Sequence, residues 1–363
     1  MKTDESKSIG IKEIAQALGT SIGTVDRALH ARPGVSPATR SRVLKMADKL
    51  GYRPNLFARN LKLNRRLRIA VHLPRTIASF FRPLRQGIEI AADAFRPQLE
   101  LEFFTYERLA EGDLALFKEA LKGKYDGFLI TPGNPATIQP LIQKANDQKM
   151  PVICVASDAP HSGRIASVTV DAFISGSLAA ELFSRVLPGV GHVAVLTGEL
   201  STLDHAEKVR GFAATLAMLA PHLTLLPVAE GHEDPKQAFE QTYKLFSQDP
   251  TPTGIYVNTA NSLPVMQALQ ERGQIGKVKI ITTDLFPAMV PLIESGAILT
   301  TLYQRPQTQG RLALEMLARY LLEGTSPSEK VRIAPHIVLR SNLPLFLDRI
   351  STISQDKFPA PQK

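Results

Sequence analysis

Side chains able to do chemistry fall where apolar runs stop. Asp284 ends KIITTD, Asn258 and Thr259 follow GIYV, and Thr131 follows GFLI. Ser157 and Asp158 follow VICVA, Asp171 closes SVTVD, and Gln304 closes a run beginning at Ile298. Phe80 and Phe81 precede an amphipathic stretch, and DHAEK supplies His205 and Lys208. Carboxylates, amides and hydroxyls beside an aromatic ring suit a polyhydroxylated ligand. Its hydroxyls donate to carboxylates, and the apolar face of a sugar lies on a ring. Phe80 and Phe81 read equally well as core. Asp284 carries more weight, because an unpaired carboxylate at a strand end is costly unless it meets solvent or ligand. His205 and Lys208 would equally suit an acidic or phosphorylated sugar.

Catalytic signatures are missing. The sequence has no G-x-G-x-x-G after its first strand, no G-x-x-x-x-G-K, no H-E-x-x-H and no G-x-S-x-G. TPGNPAT reads as a strand-exit turn. HEDP and DHAEK lack a third ligand at metal spacing. We therefore expect no catalytic residue, metal or cofactor, and no enzyme. Cys154 is the single cysteine and lies in the apolar run PVICVA, which reads as a buried thiol in a reducing cytoplasm.

These side chains need a scaffold that brings strand ends together. Strand-like stretches fall at Arg68–Leu73, Leu101–Tyr106, Gly127–Thr131, Val152–Ala156, Ser167–Asp171, His192–Thr197, Gly254–Asn258, Lys279–Asp284 and Ile298–Gln304. Amphipathic helices lie between them, for example over Pro83–Phe95 and Ile174–Val186. Alternation of this kind gives parallel sheets covered by helices, whose ligands sit beyond the carboxyl ends of strands. Nearly 280 residues exceed one such sheet, so two lobes are expected. No apolar run reaches the roughly 18 residues of a membrane span, and MKTDESKS is no signal peptide.

The N-terminal part differs. Residues 1–68 carry fifteen Lys and Arg against five acids, a net +10 in a chain of +9. A basic head on a nearly neutral body is the asymmetry of a nucleic-acid module joined to something else. Ile11, Ile14, Ala15 and Leu18 keep helical spacing, and Gly19 ends that helix. Ser21 caps a second helix, Ile22 to His30, with Val25, Ala28 and Leu29 inward. Ser36-Pro37 starts a third, with Val43, Leu44, Ala47 and Leu50 as its inner stripe. The leading end of the second helix, Ser-Ile-Gly-Thr, is small and polar, as a groove-reading end would be. The stretch GYRPNLFARNLKLNRR then holds a short helix with too little apolar surface to stand alone in water.

The strings IKEIAQALGTSIGTVDRAL, GVSPATRSRVLKMADKLGYRPN and ARNLK resemble the DNA-binding head and hinge of the lac repressor/galactose repressor family. The resemblance implies that Ile22 and Gly23 read bases and that Arg27 contacts base or phosphate. Ser21, Thr24 and Asn55 would hold phosphates, Leu61 would wedge the minor groove, and His30 and Ala58 would complete the DNA face. Asp26 stands where the family usually has Ser. For the body it implies a two-lobed, doubly wound α/β sensor of the periplasmic-binding-protein type I, most similar to ribose-binding proteins. Asp284 and Gln304 then fall on sugar-contacting positions, Lys208 replaces a frequent Arg, and His232 falls near an aromatic ligand position.

The expected organisation is a helix-turn-helix domain at 8–54, a hinge at 55–66 and a sensor at 68–348. Within the sensor, one lobe spans about 68–170 and 305–332 and the other about 171–304 and 333–348. A disordered tail would occupy 349–363. The expected function is a cytoplasmic transcription regulator, a repressor, acting as a homodimer on operator DNA under allosteric control by a sugar-like effector. The rivals are a sugar-metabolising enzyme with a fused DNA-binding head and a ligand-free architectural DNA-binding protein.

Overall fold

The computed structural model describes residues 10–29, 32–50, 66–248, 251–347 and 350. The sequence assignments of His30, Asn55, Ala58 and Leu61 lie outside these residues, as do positions 55–65 of the expected hinge and 351–363 of the tail.

The head is three helices: α1 (Ile11–Leu18), α2 (Ile22–Leu29) and α3 (Pro37–Lys49). Each boundary has a local cause. Gly19 ends α1 in the left-handed region, at φ 62° and ψ 36°. Ser21 Oγ accepts from the Thr24 N–H at 3.1 Å, and Ser36 Oγ from the Thr39 N–H at 3.2 Å. Pro37 occupies the first turn of α3, where its missing N–H costs nothing. Ile14, Ala15, Val25, Ala28, Val43 and Ala47 form the core. Leu44 departs from the expected inner stripe and is 46% exposed. The stripe of α3 runs through Val43, Met46, Ala47 and Leu50, and Leu44 lies about 100° round the helix from Val43.

The body contains two sheets. The first has the order β12-β5-β4-β3-β1-β2, all parallel, from β1 (Leu67–Pro74), β2 (Leu99–Tyr106), β3 (Gly127–Ile130), β4 (Val152–Val155), β5 (Ala166–Val170) and β12 (Lys330–Ile333). The second has the order β13-β11-β10-β9-β6-β7. It uses β6 (Gly191–Thr197), β7 (Leu223–Leu225), β9 (Gly254–Val257), β10 (Lys279–Thr283), β11 (Thr300–Tyr303) and β13 (His336–Val338). The short β8 (Ala229–Glu230) pairs with β6, and only β13 runs antiparallel to its neighbour. The central strands β3, β4 and β9 are buried along their whole length, which explains their unbroken apolar sequences. Cys154 lies within β4, fully buried, and burial pushes its thiol pKa up.

Each sheet reverses its strand order once, between β1 and β3 and between β6 and β9. In open α/β sheets the crevice at such a reversal, beyond the carboxyl ends of the strands, is where ligands bind. One helix begins earlier than the sequence indicated. It spans Ala78–Asp93, with Pro83 inside, so Phe80 and Phe81 belong to its first turn. The helices Ala172–Val186 and Leu203–Leu219 cross closely, because a Cβ on Gly176 would fall 1.9 Å from the Lys208 carbonyl oxygen.

Candidate functional site

The two strand-order reversals open on one cleft. Its walls come from strand exits in both sheets: Thr131 after β3, Ala156 and Ser157 after β4, Asn258 and Thr259 after β9, Thr283 and Asp284 at the end of β10, and Gln304 after β11. Helix starts add Phe80 and Phe81 from one and Thr202, Asp204, His205 and Lys208 from another, and Ile77, Leu109, Glu233 and Ala260 complete the wall. Together they enclose about 440 Å³, open space at the mouth included.

A chain of polar contacts crosses the floor. Lys208 Nζ donates to Asp204 Oδ2 at 2.6 Å and to Gln304 Oε1 at 2.9 Å. Gln304 Nε2 donates to Asp284 Oδ1 at 2.8 Å. Asp284 sits at φ 71°, a left-handed conformation that Asp tolerates better than most residues. Burial raises its pKa to about 6, against the opposing pull of Lys208 and Gln304. Burial also works against the Lys208 ammonium, but Asp204, Tyr256 and Asp284 outweigh it and hold its pKa above the ordinary value.

Beyond this chain, the cleft gathers polar atoms left without partners. Thr131 Oγ1, Ser157 Oγ, Thr202 Oγ1, Asp204 Oδ1, Glu233 Oε1 and Asn258 Oδ1 are all buried with no hydrogen bond. Buried polar groups are ordinarily paired, and each exception is costly. Six around one pocket form a surface that a polar ligand would complete. Phe80 and Phe81 meet edge to face, with ring centroids 5.0 Å apart, and form its aromatic wall.

Three other sequence candidates lie elsewhere. Asp158 is paired with the Arg164 guanidinium, and Asp171 caps the Ala172–Val186 helix and meets Arg332 at 3.0 Å. Both border a larger neighbouring groove, in which Glu207 is paired with Arg210. His232 is not in the cleft wall. Its Nδ1 meets Glu199 Oε1 at 2.8 Å, and its side chain is 42% exposed. With Glu230 these form the one group of three possible metal ligands found among the described residues. Glu230 Oε2 already accepts from the Leu200 N–H.

Sequence reasoning missed Thr202, Asp204, Glu233 and Thr283. Asp204 and Lys208 carried a readable signal, opposite charges at i and i+4 on one helix. Glu233 follows a two-residue strand that no periodicity reveals. The strings DHAEK and HEDP do meet in space: His205 Nε2 lies 3.1 Å from Glu233 Oε1.

In the head, Ser21, Ile22, Gly23 and Arg27 are exposed on α2, and Thr24 is half-buried. Ile22, 49% exposed, is an apolar side chain that the core of the head does not use. The Arg27 guanidinium lies beside Gly23, 3.7 Å from where a Cβ would stand. Asp26 is paired with Arg32 at 2.9 Å, so its negative charge is met within the head.

Comparison with known proteins adds the following. Residues 10–55 match the model of bacterial regulatory proteins of the lacI family, and residues 69–326 match a periplasmic binding protein domain. Catabolite control protein A of Priestia megaterium is 26% identical over 92% of this chain and 99% of its own length. The HTH-type transcriptional repressor PurR of Vibrio parahaemolyticus is 24% identical over 92% and 98%. Among solved structures, GanP, a glucose-galactose binding protein from Geobacillus stearothermophilus, superposes with a TM-score of 0.72 at 23% identity. It covers 77% of this chain and 99% of its own. A solute-binding protein from Burkholderia graminis in complex with D-arabinose reaches 0.71 at 22% identity, over 77% and 97%.

Proposed function

We propose a function for a chain that belongs to the lacI family of bacterial regulatory proteins and carries a periplasmic binding protein domain. It is a DNA-binding transcription regulator, and its cleft receives a small polyhydroxylated effector that sets its affinity for operator DNA. One observation carries the effector reading: six buried, unpartnered polar atoms lie around a pocket at the strand-order reversals of both sheets.

In this reading α2 enters the major groove of the operator. Ile22 and Gly23 meet base edges, Arg27 contacts base or phosphate, and Ser21 and Thr24 hold phosphates. Asn55, Ala58, Leu61 and His30 keep the DNA-facing roles that the family resemblance implies. Two copies act together on a near-palindromic site. The regulator performs no catalysis and works where its DNA is, in the cytoplasm. The domain limits of the sequence reading are kept: head 8–54, hinge 55–66 and sensor 68–348.

The mechanism follows from where the cleft residues originate. Thr131 and Ser157 come from one sheet, and Asn258, Asp284 and Gln304 from the other. A ligand bonding to both sets stabilises one arrangement of the lobes over others. We assign that arrangement the lower operator affinity, which makes the protein a repressor released by its effector. Coupling of this kind is worth about 1–3 kcal/mol, and operator must weaken effector binding by the same factor. The test uses operator DNA selected from a random-sequence pool, titrated with and without each member of a sugar panel. A bound sugar should weaken operator binding about 5- to 150-fold. A sugar that binds the cleft and leaves operator affinity unchanged overturns the coupling. One that tightens operator binding reverses its sign.

A further inference from the structure

The charges lining the cleft do not balance. Asp204, Glu233 and Asp284 stand against one ammonium, Lys208, and among the described residues no arginine lines the pocket. The positive end of the Leu203–Leu219 helix is already met by Asp204 in its first turn. Nor are the three carboxylates equivalent. Asp204 is bonded to Lys208, and Asp284 is bonded to Gln304. Glu233 has no lysine or arginine partner among the described residues. Its Oε2 accepts from Thr259 at 2.8 Å, but its Oε1 lacks a hydrogen bond, and the residue is 3% exposed.

His205 stands beside Glu233. Its Nδ1 lies 3.0 Å from the Glu199 backbone N–H and 3.2 Å from the Glu199 carbonyl oxygen. Its Nε2 lies 3.1 Å from Glu233 Oε1, outside hydrogen-bonding alignment. Even a charged His205 would leave three carboxylates against two cations. The room for the carboxylate is itself built in. A Cβ on Gly198, at the exit of β6, would fall 1.7 Å from Glu233 Oε1.

We propose that the effector carries a protonated amine on its polyhydroxylated frame, and that Glu233 is the group that recognises it. The proposal rests on the reading of this cleft as the effector site. An ammonium brings three donors and one positive charge to a wall rich in unpaired acceptors and in excess negative charge. A neutral sugar would supply donors only. A sugar phosphate would add up to two negative charges to carboxylates already short of cations.

Matched probes test this on the full chain by calorimetry: D-glucose, D-glucosamine and D-glucose 6-phosphate, and the same three forms of D-galactose. The amine should bind about ten- to a hundredfold more tightly than its parent sugar. In Glu233→Gln that ratio should fall toward one. Should the variant fail to fold, the ratio in the unaltered protein decides alone. Equal or weaker binding of the amine overturns the proposal, makes His205 the counter-charge of Glu233, and leaves the cleft reading intact. Preference for the 6-phosphate also overturns it. No binding by any of the six removes the proposal and the cleft reading together.

Discussion

Asp284 concentrates the chemistry of the cleft in one side chain. It is 4% exposed and bonded to Gln304, and through Gln304 to Lys208. Burial sets its pKa at about 6, against an ordinary value of 3.8. A raised carboxyl pKa means that the folded protein holds the proton more tightly than the unfolded chain. Asp284 therefore subtracts stability as pH rises from about 4 through 6, and subtracts the full amount above. Effector binding has the opposite slope, because sugar hydroxyls donate to the ionised form. Affinity should fall as pH is lowered through 6. Asp284→Asn should lose about 1.5–3 kcal/mol of effector binding at pH 8, roughly ten- to a hundredfold. It should also flatten the profile between pH 5 and 8. A step that persists in the variant would mean that Asp284 does not set it. At this scale the sequence showed Asp284, Asn258 and Gln304 because strand-ending polar residues stand out against apolar runs. It concealed Glu233, whose importance lies in having no lysine or arginine partner, a property of the surroundings and not of the string HEDP.

Helices and strands became legible in proportion to their length and burial. The nine strands read from the sequence are all present, and the fully buried parallel strands β3, β4 and β9 leave a continuous apolar signature. The four that escaped, β7, β8, β12 and β13, have two to four residues and are mixed or edge strands. The start of the Ala78–Asp93 helix escaped because Pro83 reads as an N-terminus, although it lies in the interior. The close crossing of two helices also escaped, although it places Lys208. Gly176 faces the Lys208 carbonyl, and a Cβ on Gly211 would fall 2.0 Å from the Phe173 carbonyl oxygen. Both contacts are with backbone, which cannot swing aside. Gly176→Ala should therefore push the two helices apart, costing about 1–3 kcal/mol as overpacking does. Urea denaturation followed by circular dichroism measures the loss. Effector affinity should drop with it, because Lys208 would move off Gln304. Unchanged stability would mean that the crossing relaxes freely.

Over the whole molecule the charge is divided as the functions are. The head and the segment joining it to the body hold a net +10, whereas the remainder is −1. The carboxylates and the ammonium of the cleft, by contrast, lie inside the body, with Lys208 1% exposed and Glu233 3%. Salt should therefore separate the two binding events. Operator binding releases the counterions of each phosphate contacted, so its affinity falls linearly on a log–log plot, with a slope near −0.9 per phosphate. Six to ten contacts would cost about 10³- to 10⁵-fold between 50 and 200 mM salt. Buried charges are screened much less than exposed ones, so effector affinity for the free protein should change by no more than about twofold over the same range. Parallel fluorescence-anisotropy and calorimetric titrations across that range test the division directly. A flat operator plot would deny the basic head its role in gripping phosphates. A steep effector plot would show that the cleft meets its ligand while open to solvent, with the Asp204, Glu233 and Asp284 charges exposed at the moment of recognition.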